Sequence, residues 1–313
     1  MVENFADTEP LVLQRADPQI YKHTDGYYYL IASVPEYDRI EIRRAWTLDC
    51  LKHAAPCVVW RKHAEGPMSW HIWAPELHWI DGVWYIYFAA GQAGDPWYIR
   101  NWVLANSSPD PFRGEWKEKG QVVSEWDSFS LDLTSFEHRG QRYAVWAQKS
   151  KERTENSSIY IAKMSTPYTL ELPQTRISRP ELEWECVGFK VNEGPAFLTH
   201  GDKVFITYSA SATDSNYCMG LLWAPADADL TDAASWTKLD KPVFVTNPEA
   251  GIYGPGHNSF TKSFDDKTDV LVYHARPYPD VELPLYDPNR HTRVRAIEWD
   301  AEGFPVFQKG KTQ

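Results

Sequence analysis

Hydrophobic and polar positions along the chain follow one pattern that occurs five times. A short polar turn, usually with a glycine, is followed by a run in which aromatic and β-branched residues dominate. The turns are centred on Gly26, Gly82, Gly140, Gly201 and Lys267, at intervals of 56, 58, 61 and 66 residues. Tyr, Trp, Val and Ile favour strands, and an Asp-Gly pair marks a hairpin turn. The pattern therefore predicts a β-hairpin in each repeat. The five segments are residues 25–30, 81–87, 140–146, 201–208 and 265–273.

Each interval has room for four short strands with their turns, and no long amphipathic helix interrupts the pattern. Five all-β units of similar size predict a five-bladed β-propeller, in which radial repetition protects the sheet edges. The fold class is thus all-β, and the whole chain, residues 1–313, is expected to be one catalytic propeller domain. A large β-sandwich with unrelated hairpins is the alternative, but it gives no reason for a near-constant interval.

Polar residues lie at matching distances before these turns, where the strand nearest the propeller axis begins. Asp17, Asp132, Glu193 and His257 precede the centres of their turns by 9, 8, 8 and 10 residues, and Trp73 adjoins the equivalent position of the second repeat. Equivalent positions of a radial repeat share one rim. We therefore expect these five side chains to meet at one mouth of the central channel.

The three carboxylates of this group have a structural interpretation, because an aspartate can cap a turn and a glutamate can pair with an arginine. Crowded at one axis, however, they would repel each other and raise at least one pKa, which suits a general acid at neutral pH. A protonated and an ionised carboxyl on either side of a bond are the usual equipment for cleaving a glycosidic bond. The 15 Trp and 17 Tyr residues support a sugar ligand. Trp73 is the candidate for a sugar platform, and most other tryptophans are expected in the core.

Charge and composition argue against two classes of binding partner, nucleic acid and membranes. The net charge of −11 and the pI of about 5.4 leave no basic footprint for nucleic acid. No segment approaches the ~20 consecutive apolar residues of a membrane helix, so a membrane is not an expected partner either. Residues 1–7 lack a basic and an apolar signal region, and the four cysteines form no C-x-x-C pair. Both features indicate a cytoplasmic location, or secretion if a signal was removed from this sequence. Oligomeric state is left open.

The stretches that carry a family resemblance are residues 16–18, 25–28, 73–77, 131–132, 191–195, 254–259, 290–293, 299–300 and 303–305. On these stretches, the sequence from about residue 15 to the end resembles glycoside hydrolase family 43. This resemblance implies an inverting exo- or endo-glycosidase on a five-bladed propeller.

The resemblance also implies catalytic roles for the three carboxylates. Asp17 matches the general base of the family, and Glu193 matches its general acid. Asp132 matches the third carboxylate, which orients the acid and raises its pKa. No cofactor is required for this chemistry.

Two further positions are implied to bind the sugar or an ion. His257 matches an axial histidine that coordinates a central ion or water cluster in many members, so a structural calcium at the propeller axis is expected there. Arg290 matches the arginine that contacts the sugar, with Arg293 and Arg295 as alternatives.

Within the family, the sequence is most similar to exo-acting α-L-arabinofuranosidases, on residues 33–41, 130–132, 136–138 and 207–211. This implies release of terminal arabinofuranose from arabino-oligosaccharides, arabinan or arabinoxylan, with α-1,5 linkages favoured. A β-xylosidase or bifunctional enzyme shares the three carboxylates and stays open, although such enzymes often carry a sandwich domain that is absent up to Gln313. A non-catalytic sugar-binding propeller would have lost an axial carboxylate. A sucrose-active propeller would open with Asn-Asp-Pro-Asn, which residues 15–19 lack.

Overall fold

The computed structural model describes residue 5, residues 9–279 and residues 281–308. The N-terminal stretch in which a signal was sought, and the end of the chain at Gln313, lie largely or wholly outside the described residues. Within the described part, no helix is long and apolar enough to span a membrane.

Five antiparallel sheets account for nearly all regular structure, and their strands follow one another in chain order across each sheet. The first sheet has strands β1 (Ala16–Lys22), β2 (Tyr28–Ser33), β3 (Arg39–Ala45) and β4 (Cys57–Arg61). The second has β5 (Pro67–Ile80), β6 (Val83–Gln92), β7 (Asp95–Asn106) and β8 (Lys117–Gln121). The third has β9 (Ser130–His138), β10 (Gln141–Gln148), β11 (Ser158–Thr166) and β12 (Thr169–Ser178).

The fourth and fifth sheets continue the series, followed by a short terminal hairpin. The fourth has β13 (Asn192–His200), β14 (Lys203–Ala210), β15 (Cys218–Pro225) and β16 (Thr237–Lys238). The fifth has β17 (Tyr253–Lys262), β18 (Asp269–Arg276) and β19 (His291–Ala296), and the hairpin has β20 (Glu298–Trp299) and β21 (Pro305–Val306). The described connections contain 3₁₀ helices at Asp49–His53, Glu183–Glu185, Ala233–Ser235, Pro248–Ala250 and Pro284–Tyr286.

The first strands of the five sheets form a ring. Strand β1 contacts β5, β5 contacts β9, β9 contacts β13, β13 contacts β17, and β17 contacts β1. Each sheet is therefore a blade with its first strand at the axis, and the predicted five-bladed β-propeller is confirmed. The five predicted hairpin turns all lie between the first and second strand of a blade.

Aromatic side chains of the repeated pattern fill the layers between blades. Tyr29 and Trp84 pack between blades one and two, Trp146 between blades two and three, and Phe205 and Tyr273 between blades four and five. All five side chains are fully buried. Burying a large apolar side chain stabilises a fold by roughly 1.5–3 kcal/mol, so these layers hold the blades together. Among the tryptophans other than Trp73, three are buried (Trp84, Trp146 and Trp236) and eight are partly buried against a core cluster. Most of them thus belong to the core, as expected.

The N-terminal segment closes the ring against the last blade. The backbone N–H groups of Leu11 and Val12 donate to the carbonyl of Thr292 in β19, at 2.8 and 3.3 Å, and the Thr292 N–H donates to the Val12 carbonyl at 3.0 Å. Leu11 and Val12 are buried in the cluster that also holds Ile20 of β1 and Val294 of β19. The first residues of the described chain therefore complete the outer side of the three-stranded fifth blade.

This closure gives a first prediction. Leu11→Ala removes a buried side chain that is 7% exposed, so we expect a loss of about 2–5 kcal/mol in unfolding free energy. Leu13→Ala is the matched control, because Leu13 is 62% exposed and its truncation should change that value by less than about 0.5 kcal/mol. Denaturant midpoints of both variants measure the difference. Equal midpoints would show that the closure contributes nothing to stability.

Candidate active site

Each innermost strand has a residue with a left-handed backbone at a matching distance before its hairpin turn; β5 has two more at Met68 and His71, and β17 has one more at Gly254. Positive φ angles of 52°, 44°, 57°, 54° and 40° occur at Asp17, Ala74, Asp132, Gly194 and His257. The pairing with the second strand shifts around each of these positions, as in a β-bulge. Bulges re-aim side chains, and left-handed residues other than glycine are uncommon and cluster at functional sites. Five such positions therefore mark one rim of the propeller as its candidate site.

Blade four departs from the predicted equivalence by one residue. Its left-handed position is Gly194, and Glu193 comes directly before it. A Cβ atom on Gly194 would lie 3.1 Å from Cγ of His257, which is closer than an ordinary van der Waals contact. The candidate acid is thus carried by the residue before the bulge position, and the bulge itself holds a left-handed glycine packed against His257.

A cavity of about 870 Å³ opens at this rim. Arg290 lines it, whereas neither Arg293 nor Arg295 does, so the geometry favours Arg290 among the three candidate arginines. All six residues predicted to be catalytic or substrate-binding lie on its wall, namely Asp17, Trp73, Asp132, Glu193, His257 and Arg290.

Asp17 is held as an ionised carboxylate. Its Oδ2 accepts a hydrogen bond from Ser33 Oγ at 2.6 Å, and its Oδ1 lies 3.4 Å from Nδ1 of His257 and 3.5 Å from Nη1 of Arg290. Burial alone would raise the pKa of Asp17, but the charges of His257 and Arg290 outweigh burial and hold this pKa well below its usual range. Because burial also lowers the pKa of His257, Arg290 is the partner that is charged at neutral pH.

His274 supports Asp17 from behind as a neutral ring. The backbone N–H of Asp17 donates to Nδ1 of His274 at 3.0 Å, so this nitrogen carries no proton. Burial lowers the pKa of His274 to about 4, in agreement with a neutral ring. The 3.3 Å approach of this nitrogen to Oδ1 of Asp17 is therefore not an ion pair. His274 instead fixes the backbone at the left-handed position.

Arg290 is a buried, permanently charged group. Its Nη2 donates to Tyr37 Oη at 2.8 Å and to the carbonyl of Leu285 at 3.3 Å, while Tyr37 Oη donates to the same carbonyl at 2.5 Å. Burial would lower the pKa of the guanidinium, but Tyr37 and Asp17 reverse this effect and raise it above its usual value. Arg290 therefore supplies a fixed positive charge beside Asp17.

The pKa of Glu193 is shifted in the opposite direction from that of Asp17. Tyr217 Oη donates to its Oε1 at 2.8 Å. Burial raises the pKa of Glu193 to about 7, against the opposing hydrogen bond of Tyr217, and the charge of Asp17 adds to the rise. Near neutral pH this carboxyl is thus poised between its protonated and ionised forms, as a proton donor should be.

The carboxyl of Asp132, in blade three, binds the backbone of blade four. Its Oδ2 accepts the N–H of Gly194 at 3.0 Å. Burial, and after it the charges of Glu193 and Asp17, raise the pKa of Asp132 well above its usual value. The charge on Glu193 thus disfavours the ionised form of Asp132, and the two carboxyls titrate as a set. The contact that the structure gives Asp132 holds the backbone next to Glu193, which fits the orienting role implied by the family resemblance.

The expected calcium at His257 finds few side-chain ligands. Nδ1 of His257 faces Oδ1 of Asp17 at 3.4 Å and Oδ2 of Asp132 at 3.9 Å. Calcium takes six to eight oxygen ligands, and among the described residues no group of three or more His, Cys, Asp or Glu side chains is arranged to hold a metal ion. The side chains present do not fit a calcium site by themselves, and the calcium stays a prediction.

Trp73 forms an aromatic wall of the cavity. One face stacks on His71, with ring centres 4.2 Å apart and planes 22° apart, and Trp97 meets it edge-on at 6.1 Å. Nδ1 of His71 donates to the carbonyl of Pro96 at 3.0 Å, which leaves Nε2 to accept from Tyr286 Oη at 3.2 Å. Trp73 is therefore both a core residue and part of the cavity wall, and His71 fixes its orientation.

Four residues of this site were not assigned a role from the sequence. Ser33 and Tyr37 lie in the stretch that resembles arabinofuranosidases, but nothing in that stretch shows which atoms they contact. Tyr217 and His274 belong to no local motif. Their partners are 24 and 257 residues away: Tyr217 meets Glu193 within blade four, and His274 meets Asp17 across the junction of blades five and one.

Comparison with known proteins identifies the family. The sequence model described as glycosyl hydrolases family 43 matches residues 8–305. This chain belongs to that family. The family description, glycosyl hydrolases, names enzymes that cleave glycosidic bonds.

Curated relatives are highly similar to this chain. A protein of Streptomyces avermitilis named extracellular exo-α-(1→5)-L-arabinofuranosidase is 56% identical over 96% of this chain and 63% of its own length. A protein of the same name from Streptomyces chartreusis is 55% identical over 87% of this chain and 83% of its own length. The α-L-arabinofuranosidase 43 of Humicola insolens is 53% identical over 95% of this chain and 62% of its own length. The chain thus spans less than two thirds of the length of two of these relatives.

A solved structure agrees with this placement. The crystal structure of an α-L-arabinofuranosidase from Lactobacillus brevis superposes with a TM-score of 0.93 at 51% identity, and the match covers 97% of this chain and 96% of that one. A xylan β-1,4-xylosidase from Bacillus halodurans is only 16% identical, at a TM-score of 0.72, so that likeness shows the fold alone.

The expected cytoplasmic location is wrong. Two of the relatives are named extracellular enzymes, which points to secretion. The expectation rested on the composition of residues 1–7 and on the cysteine pattern, and neither was a good guide to location.

Tyr217 gives a prediction for the pH dependence of hydrolysis by this family member. Its hydrogen bond stabilises the ionised form of Glu193 and so lowers the pKa of that carboxyl. Tyr217→Phe removes this hydrogen bond, so Glu193 keeps its proton to higher pH. The alkaline limb of the pH–rate profile should therefore shift to higher pH.

The matched control is Tyr29→Phe. Tyr29 is also buried and donates to a carboxylate, Oδ2 of Asp25 at 2.7 Å, but it lies outside the cavity wall. Its loss should leave the alkaline limb in place. An unchanged limb in the Tyr217 variant would exclude Glu193 as the group that titrates there.

Proposed function

We propose that this chain is an inverting, exo-acting α-L-arabinofuranosidase that removes terminal arabinofuranose from arabino-oligosaccharides, arabinan or arabinoxylan, with α-1,5 linkages favoured. The observation that supports this chemistry is a pair of carboxyls in one cavity whose pKa values are shifted in opposite directions. Asp17 has a depressed pKa beside Arg290, and Glu193 has a raised pKa of about 7. An ionised and a protonated carboxyl are what hydrolysis with inversion requires. The sugar is inferred from the names of the relatives at 53–56% identity.

In this proposal Asp17 is the general base. Its carboxylate takes a proton from a water molecule, whose oxygen attacks the anomeric carbon from the side opposite the leaving group. The bond between the anomeric carbon and the glycosidic oxygen breaks, and Glu193 gives its proton to that oxygen. Ser33 fixes one oxygen of Asp17 by its 2.6 Å hydrogen bond, so the other oxygen, Oδ1, is the one available to the water.

The remaining site residues position the sugar and the acid. Arg290 keeps Asp17 ionised and presents N–H groups at the cavity wall, and Trp73 offers its ring to the apolar face of the sugar. Asp132 holds the backbone beside Glu193 through Gly194. A role as a sugar-binding protein without catalysis is disfavoured, because all three carboxyls are present. The pKa of Asp17 is lowered, and those of Asp132 and Glu193 are raised.

Substitution of the proposed base tests the division of labour. Asp17→Asn should lower turnover on every substrate by about 10²–10⁴-fold, because no other group activates the water. Asp25→Asn is the control: this aspartate accepts hydrogen bonds in the same blade but lies outside the cavity wall. Proton NMR of the wild-type reaction should show β-arabinofuranose as the first product from an α-linked substrate. Initial release of the α-anomer, or near-normal turnover by the Asp17 variant, would contradict the proposal.

Substitution of the proposed acid tests the other half of the reaction. Glu193→Ala should slow hydrolysis of natural linkages by about 10²–10⁴-fold, because their leaving oxygen needs a proton. Aryl arabinofuranosides with acidic leaving groups need little protonation and should lose far less. Rates on 4-nitrophenyl arabinofuranoside and on arabinobiose measure the contrast, and equal losses on both would exclude Glu193 as the acid. The 4-nitrophenyl xyloside measures xylosidase activity alongside.

A further inference from the structure

We propose that Phe189 is the platform on which the leaving sugar unit stacks, and that this ring sets the preference of the enzyme for a sugar over a small leaving group. The inference rests on the proposed function, because it assigns a binding role on the leaving-group side of the same cavity. Phe189 lies four residues before Glu193, in the connection between blades three and four, and both residues line the cavity.

The backbone around Phe189 is firmly anchored. The N–H of Val187 donates to Ser211 Oγ and the N–H of Ala212 donates to the Val187 carbonyl, both at 2.9 Å. On the C-terminal side of Phe189, the N–H of Asn156 donates to the carbonyl of Lys190 at 2.9 Å. The segment that carries Phe189 is therefore held on both sides by neighbouring parts of the cavity wall.

Gly188 fixes the direction in which the next residue points. Its φ is +76°, and a Cβ atom there would lie 2.8 Å from Cβ of Ala212. Only glycine fits this left-handed position against the wall. The position of Phe189 is thus imposed by the packing of its neighbours.

Phe189 is nevertheless 58% exposed. It belongs to none of the hydrophobic clusters formed by the described residues, and no ring–ring contact within the described part of the chain involves it. An anchored backbone that presents an uncovered apolar ring to a cavity suits a ligand with a flat apolar face, and a sugar ring has one.

The size and chemistry of the cavity indicate which sugar unit stacks there. About 870 Å³ lies near the upper end of the roughly 300–1,000 Å³ that drug-sized ligands occupy, and one pentose is far smaller. The cavity therefore has room for the terminal unit and for the unit to which it is linked. The acid must reach the leaving oxygen, so the leaving unit lies on the Glu193 side, where the connection carrying Phe189 enters blade four.

The test compares two substrates that differ only in the leaving group. Arabinobiose has a sugar to stack on the ring, and methyl α-L-arabinofuranoside has none. For Phe189→Ala we expect kcat/KM on arabinobiose to fall about ten-fold, chiefly through KM, since one aromatic stacking contact corresponds to a change of that order. The value on the methyl glycoside should stay within about two-fold.

Phe264→Ala is the matched control, because Phe264 is 52% exposed and is not part of the cavity wall. This substitution should leave kcat/KM unchanged on both substrates. Phe189→Trp should retain the preference for arabinobiose, since it keeps a flat ring at the same place.

Equal losses on both substrates, or no loss on arabinobiose, would overturn the role of Phe189 while leaving the proposed function intact. A wild-type enzyme that releases arabinose from neither substrate would overturn the proposed function and this inference with it. Thermal denaturation of the Phe189 variants should match the wild type, and a lowered midpoint accompanied by losses on both substrates would assign the ring a structural role instead.

Discussion

The buried charge of Arg290 is the interaction on which the chemistry of the site depends. Asp17, Asp132 and Glu193 line one cavity, and burial acts to raise the pKa of each carboxyl. His257 and Arg290, at 3.4 and 3.5 Å from Asp17, outweigh burial and lower the pKa of that group, whereas burial prevails at Glu193. Arg290 is the one of these two partners that is charged at neutral pH, and it helps to separate otherwise similar carboxyls into a base and an acid. Tyr37 and the carbonyl of Leu285 hold that cation in place.

The propeller supplies the geometry that makes this separation possible. Each blade contributes one left-handed bulge at the same rim, so residues far apart in sequence meet around the axis. The strain of those backbones is balanced by specific contacts, such as the hydrogen bond of Asp17 N–H to His274 and that of Gly194 N–H to Asp132. The rest of each blade is packed with aromatic residues, which leaves the rim free to carry polar groups at a fixed spacing.

Much of this arrangement was predictable from the sequence, because a radial repeat converts equal offsets along the chain into neighbours in space. The five hairpins, and Asp17, Asp132 and His257 at the axis, follow from that rule. Its limit is visible at Glu193, which lies one residue before Gly194, the left-handed position of its blade. Tyr217 and His274 were beyond reach for a different reason. Tyr217 contacts Glu193 within blade four, His274 contacts Asp17 in the neighbouring blade, and the repeated pattern encodes neither contact. The repeat also could not show that Arg290 lines the cavity while Arg293 and Arg295 do not.

The closure of the ring by Leu11 and Val12 on Thr292 also has a consequence for how the protein folds. Each blade is built from hairpins that are local in sequence and can form early, but the site joins the first blade to the last. Contacts between the two ends of a chain carry the largest loop-closure entropy and form slowly. A chain with all its sheets formed and its ends apart would have most of its secondary structure and no cavity. Recovery of activity during refolding therefore reports the final docking of the chain ends, and it lags behind the recovery of β-structure.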